Sequence, residues 1–189
     1  MATMMKNTGF ILANEIDKIR FKRLEYNIEK QNVKNVKVTN QDGRNIHKII
    51  EKGFKFDKVL VDVPCSGEGR FNINDKKSYS NWSLKMVEEL SKLQKELLNE
   101  AIDICKTGGE IVYSTCTLNN EENEKIVDYA IKNRNIELEN IEIDTEIKIA
   151  KVNGITKNVD KSIEKTIKIL PSKFTEGFFI AKLKKVGEK

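Results

Sequence analysis

The chain has 189 residues, the size of one ordinary domain and long enough to bury a core. Hydrophobic residues make up 39% and charged residues 33%, a globular balance, and no apolar run approaches the roughly 20 residues of a membrane-spanning helix. The net charge of +5 at pH 7 suits a polyanionic partner, but in a chain crowded with Lys, Asn, Ile and Glu it does not decide for one.

Met1 to Asn7 lacks the charged start, apolar core and small-residue cleavage site of a secretory leader, so a cytoplasmic address is expected. Gly9-Phe10-Ile11-Leu12-Ala13 predicts a short buried strand. Asn14 and Glu15 follow, then a helical pattern from Ile16 to about Glu29 with Ile19, Leu24, Tyr26 and Ile28 among its apolar positions. Val33 to Thr39 alternates as a second strand, and a weak helix is predicted around Ile46 to Lys52. Lys58 to Val63 is the clearest buried strand. A polar, glycine-containing loop runs from Cys65 to about Asn81, and a long helix from Leu84 to Lys106 is expected to stop at Gly108-Gly109 in a left-handed C-terminal turn. Glu110 to Ser114 is a strand, Glu121 to Asn133 a helix, and Ile136–Ile143, Ile167–Leu170 and Gly177–Lys184 are strand candidates.

Strands alternating with helices of ten or more residues imply crossover connections, hence an α/β fold whose mostly parallel sheet carries helices on both faces. Three strands end in polar residues, at Glu15, Asp62 and Ser114-Thr115-Cys116. Ligands of open α/β sheets bind outside such carboxyl ends, so the chemistry is expected there.

Cys65, Cys105 and Cys116 are an odd set with no CxxC pair, so they read as free thiols. His47 is the only histidine, which argues against a histidine-rich zinc site and leaves a thiol hydrolase short of a base. Cys105 falls on an apolar helical stripe with Leu97, Leu98, Ala101 and Ile102 and reads as core. Asp62-Val63-Pro64-Cys65-Ser66-Gly67-Glu68-Gly69 joins a strand-end carboxylate to a thiol and two glycines that let backbone approach a ligand; a plain tight turn would use the same residues. In Tyr113-Ser114-Thr115-Cys116-Thr117 a second thiol lies past a strand end, where the amides of a following helix would favour thiolate; a structural cysteine also fits. On neighbouring strands the two thiols would face one crevice.

VDVPCSGEGRF and YSTCTLNNEENEKIV resemble the two signature motifs of the Sun/Nop-type (RsmB/RsmF-like) RNA cytosine-5 methyltransferases, a DxPCSGxG loop and an STC(S/T) strand end followed by ENE. GFILANEIDKIRFKRLEYNIEKQNVKNVKVTNQDGR is similar to the family's cofactor-ribose strand, helix and next strand. The NWS around Trp82, Gln94 to Leu98, and Glu176 to Ala181 also match, so the resemblance covers nearly the whole chain in the expected order.

The resemblance implies a Rossmann-like methyltransferase sheet with an antiparallel C-terminal strand, S-adenosylmethionine as cofactor, and an rRNA or tRNA cytosine, single-stranded or flipped out, as substrate. It implies that Cys116 is the nucleophile, that Cys65 assists product release, and that Asp62 lies by the cytosine edge and methyl donor. Glu15 would hold the cofactor ribose and Asp42 would lie near adenine. From the residues alone, Glu15 could equally cap the next helix, Asp42 make a turn with Gly43, and Asp62 cap its loop. From position alone, lysines and arginines near the cleft, Arg70 among them, could hold phosphates. No stretch matches the family's first strand and its CAAPGGKT-like cofactor loop. Residues 1–189 are therefore expected to form a partial catalytic domain that alone binds S-adenosylmethionine weakly or not at all: a truncated gene product, the product of an internal start, or half of an enzyme completed by a separate chain. The alternative reading is a non-catalytic fragment or partner module that keeps the fold.

Overall fold

A computed structural model describes residues 1–143, 151–154 and 158–188. The chain divides into two compact units, Met1–Lys52 and Gly53–Lys189.

In the first unit β1 (Ile11–Asn14), α1 (Lys18–Lys30) and β2 (Val36–Thr39) form the expected crossover. β1 and β2 pair in parallel from Ile11↔Val36 to Asn14↔Thr39. Asp17 starts α1 by accepting from the Arg20 amide at 2.8 Å, satisfying a donor the helix itself leaves open. The helix predicted over Ile46 to Lys52 is instead a 3-10 turn over Gly43–Lys48. Its start moves forward because the Asp42 carboxylate takes the Arg44 amide at 3.0 Å.

The second unit holds β3 (Phe56–Asp62), α2 (Leu84–Ile104), β4 (Cys105–Thr115), α3 (Glu124–Asn133), β5 (Ile136–Glu139), β6 (Lys151–Asn153), β7 (Ile167–Ile169) and β8 (Phe178–Lys185). β3 and β4 are parallel, and β8 runs antiparallel to β4, as expected of the last strand. Along its other edge β8 pairs with β7 near its start and β5 near its end, and β6 extends the sheet beyond β7. β6 has no counterpart in the sequence reading, and the strand predicted to Ile143 stops at Glu139.

Strand register sorts the side chains. Val59↔Ile111, Val61↔Tyr113, Ile111↔Leu183, Tyr113↔Ala181 and Thr115↔Phe179 stack on one face. There they meet Leu98, Ala101 and Ile102 of α2 and Ile126, Val127 and Ala130 of α3 in the core. The opposite face carries a cross-strand ladder of charge: Lys58–Glu110 at 2.6 Å, Lys182–Glu110 at 3.0 Å and Lys182–Glu139 at 2.8 Å. Lys58 and Lys182 hold the Glu110 carboxyl down to about 2.

α2 ends at Ile104 rather than at the Gly108-Gly109 stop. Cys105 is already extended and pairs with Phe56, so this fully buried residue belongs to the core as expected, but from a strand. Pairing then jumps from Phe56↔Cys105 to Lys58↔Glu110. Gly108, at φ +82°, makes the turn that takes up the extra β4 residues. Among the described residues no helix is long and apolar enough to cross a membrane.

Candidate functional site

Parallel pairing carries β3 and β4 to a common end at Asp62↔Ser114. The Ser114 hydroxyl donates to Asp62 Oδ1 at 3.0 Å, and the Val63 amide donates to the Ser114 carbonyl at 3.2 Å. Each chain then turns into a cysteine loop. The Sγ atoms of Cys65 and Cys116 lie 2.8 Å apart, and the Cys116 amide donates to Cys65 Sγ at 3.2 Å. Both thiols are free and half-buried.

This closeness splits the two acidities. Cys116 is lowered to about 7, first by the hydrogen bond from the Cys65 thiol and then by the positive charge of Arg70, against burial and the Asp62 charge. Cys65, the donor in that bond once Cys116 is the thiolate, is pushed upward by the bond first and then by burial. α3 begins only at Glu124, well past Cys116 in the chain.

Further bonds fix the loops. The Gly69 amide donates to the Cys116 carbonyl at 3.0 Å, and the Gly177 amide to the Gly69 carbonyl at 2.8 Å. The backbones approach so closely that a Cβ on Gly69 would lie 2.0 Å from the Gly177 oxygen. Glu68 Oε1 accepts from Trp82 Nε1 at 3.0 Å and Asn119 Nδ2 at 2.8 Å. Beneath, Glu122 Oε2 accepts from the Ser66 amide at 2.9 Å and Gln94 Nε2 at 2.8 Å, and the Ser66 hydroxyl bonds Glu122 Oε1. Asn123 crosses to Thr115 Oγ1 at 2.7 Å and the Thr117 carbonyl at 3.0 Å. Sequence reasoning missed Glu68, Gln94, Glu122 and Asn123 as supports. Their positions within matching motifs were the only signal, because their partners are remote in sequence.

Asp62, Cys65 and Cys116 are thus brought together. Glu15 and Asp42 lie in the first unit, at the carboxyl ends of β1 and β2, whose loops Asn14 ties by donating to the Gln41 carbonyl at 2.9 Å and accepting from Thr39 Oγ1, also at 2.9 Å. Glu15 accepts from the Asp17 amide at 2.9 Å and pairs with Arg20 at 2.8 Å. Asp42 pairs with Arg44 at 2.6 Å, and this guanidinium holds its carboxyl below the usual range. In this state Asp42 caps the turn at Gly43, as the sequence also allowed, whereas Glu15 does not cap α1, whose cap is Asp17.

A family described as "16S rRNA methyltransferase RsmB/F" matches residues 1–184. The 25S rRNA (cytosine-C(5))-methyltransferase nop2 of Schizosaccharomyces pombe is 38% identical over 100% of this chain and 31% of its own length. The 28S rRNA (cytosine(4447)-C(5))-methyltransferase of Homo sapiens is 39% identical over 98% of this chain and 23% of its own. The chain therefore spans under a third of either relative. Among solved structures, NSun6 from Pyrococcus horikoshii with SFG superposes with TM-score 0.80 and 34% identity, covering 99% of this chain and 44% of that one. A methyltransferase homolog protein from the same organism gives 0.79 and 28%, covering 97% and 56%. On the strength of a match over almost its full length, the chain belongs to the 16S rRNA methyltransferase RsmB/F family.

Proposed function

We propose that this chain carries the catalytic cysteine pair of an RNA cytosine-5 methyltransferase that acts on rRNA or tRNA with S-adenosylmethionine as donor. The observation that supports it most is the 2.8 Å separation of Cys65 and Cys116 Sγ at paired strand ends, close enough for both to reach one pyrimidine.

Cytosine C5 is a poor nucleophile until a thiolate adds to C6 and turns the ring into an enamine, the one hard step split into easier ones. Cys116 is the attacking group in this reading, because its acidity leaves much of it as thiolate near neutral pH. Cys65, held as the thiol, stands beside the reacting ring and assists release once the C5 proton has left. Asp62 is exposed, and with only its Oδ1 engaged by Ser114 it keeps lone pairs for the exocyclic amine of cytosine.

The cofactor supplies an electrophilic methyl group when bound. By the family resemblance Glu15 would take the ribose hydroxyls, Asp42 would sit by adenine and Asp62 near the methyl donor, carboxylates being acceptors for such donors. The Arg20 side chain on Glu15 is 71% exposed, and such a surface pair yields readily to a ligand. The reading also carries a segment bearing the glycine-rich cofactor loop, on this polypeptide or a separate one, and a reducing, cytoplasmic setting for the free thiols.

The test is trapping. Cys65→Ala should accumulate a denaturant-stable protein–RNA adduct with a cytosine-containing substrate, and Cys116→Ala should give none. Adduct in Cys116→Ala alone would reverse the two roles.

A further inference from the structure

We infer that Glu122, with Gln94, is a positioning residue that holds the Cys65 thiol against Cys116, a role that rests on the reaction proposed above. Both side chains are fully buried. Pro64 has no amide hydrogen, so its carbonyl is its one backbone hydrogen-bonding group, and Gln94 Nε2 donates to it at 2.8 Å. Immediately after Cys65, Ser66 gives both its amide and its hydroxyl to the Glu122 carboxylate. The same Gln94 nitrogen also donates to Glu122 Oε2 at 2.8 Å, closing a bracket around the cysteine. The second loop is joined to it: Ser66 Oγ lies 2.9 Å from Thr117 Oγ1, so the residues following the two cysteines bond each other, and Tyr113 OH donates to the Glu122 carbonyl at 2.7 Å.

Two features separate this arrangement from ordinary packing. A buried carboxylate is costly to desolvate, and an apolar side chain of the same volume would fill the space without that penalty. In addition, Gln94 Oε1 is buried without a hydrogen-bond partner. Turning the amide over would set its oxygen against the Pro64 carbonyl and the Glu122 carboxylate, so the orphaned acceptor follows from giving one N–H to the loop at Pro64 and the other to Glu122. The cluster is arranged for donors and acceptors on the Cys65 loop at the expense of full satisfaction elsewhere.

The experiment reads the thiol pair directly, without RNA or cofactor, by following iodoacetamide alkylation of Cys116 against pH. With the pair intact the midpoint should fall near 7. Glu122→Ala frees the Cys65 loop, and the midpoint should move up by about one unit or more, toward the ordinary thiol value of about 8.5. Glu122→Gln should keep the native midpoint. Its amide oxygen can take the Oε2 position and accept from Ser66 and Gln94, while its NH₂ donates to the Ser66 hydroxyl. A folded Glu122→Ala with an unmoved profile would overturn the proposal, as would a Glu122→Gln that behaves like Glu122→Ala. Should Glu122→Ala not fold, Ser66→Ala removes the hydroxyl bonds to Glu122 and Thr117 and must itself raise the midpoint. Failure of Cys65→Ala to trap RNA would sink the reaction while leaving these alkylation results standing, so the two failures are distinguishable.

Discussion

A thiol donating to a second sulfur lowers the acceptor's pKa and raises its own, because each proton bound on one stabilises charge on the other. For Cys116 the donor is Cys65, with Arg70 adding positive charge and Asp62 opposing it. Cys65→Ala should therefore raise the alkylation midpoint of Cys116 above about 7, which a pH series with iodoacetamide measures. The same shifts act on stability with opposite signs. Cys116, lowered on folding, contributes stability that is present above its unfolded pKa and lost as pH falls through about 7. Cys65, raised on folding, contributes stability that is full below its unfolded pKa and declines as pH rises past it. Melting temperature, referred to the double variant Cys65→Ala/Cys116→Ala, should accordingly rise from pH 6 toward about 8.5 and fall beyond it.

At the scale of elements, the site exists because β3 and β4 end in register and the approach to β8 closes over them. Gly69 is the junction: it bonds the Cys116 carbonyl on one side and the Gly177 amide on the other. A methyl group there would meet Gly177 backbone, which cannot swing aside as a flexible side chain can. Gly69→Ala should cost about 1–3 kcal/mol in urea denaturation, as overpacked sites do. It should also separate the thiols and so weaken adduct formation. Sequence placed β3, β4, α2 and β8 close to where they lie, because apolar runs and alternation mark elements, but β3, read as the clearest buried strand, is not buried: none of Phe56–Asp62 is, and Leu60 stays exposed. It misplaced the end of α2, because two adjacent glycines signal a turn without saying whether it follows a helix or lies within a strand. It missed β6 because a three-residue strand, Lys151–Asn153, owes its existence to pairing with β7 rather than to its own pattern.

Across the whole molecule burial is uneven. In Met1–Lys52 only Asn35 and Ile46 are buried among the described residues, and α1 buries none of its side chains while Ile19 and Tyr26 stay exposed. In the second unit Ile111, Tyr113, Phe179, Ala181 and Leu183 are completely buried on paired strands. Local opening follows such differences, so native-state hydrogen exchange should protect β4 and β8 amides roughly a hundredfold more than those of α1. Equal protection in the two units would contradict this.

The residues by themselves determined the α/β class, the strand ends where polar groups collect, the paired cysteine motifs and, through resemblance, the family. These are properties of local pattern, and local pattern is carried in adjacent letters. Only the tertiary structure decided that the two sulfurs touch, that Cys65 and then Arg70 acidify Cys116, and that Glu122 and Gln94 grip the loop from below. It also decided that Glu15 and Asp42 engage neighbouring arginines in this state. Each of these depends on distances between segments far apart along the chain, which strand register and core packing set and which no short stretch of sequence encodes.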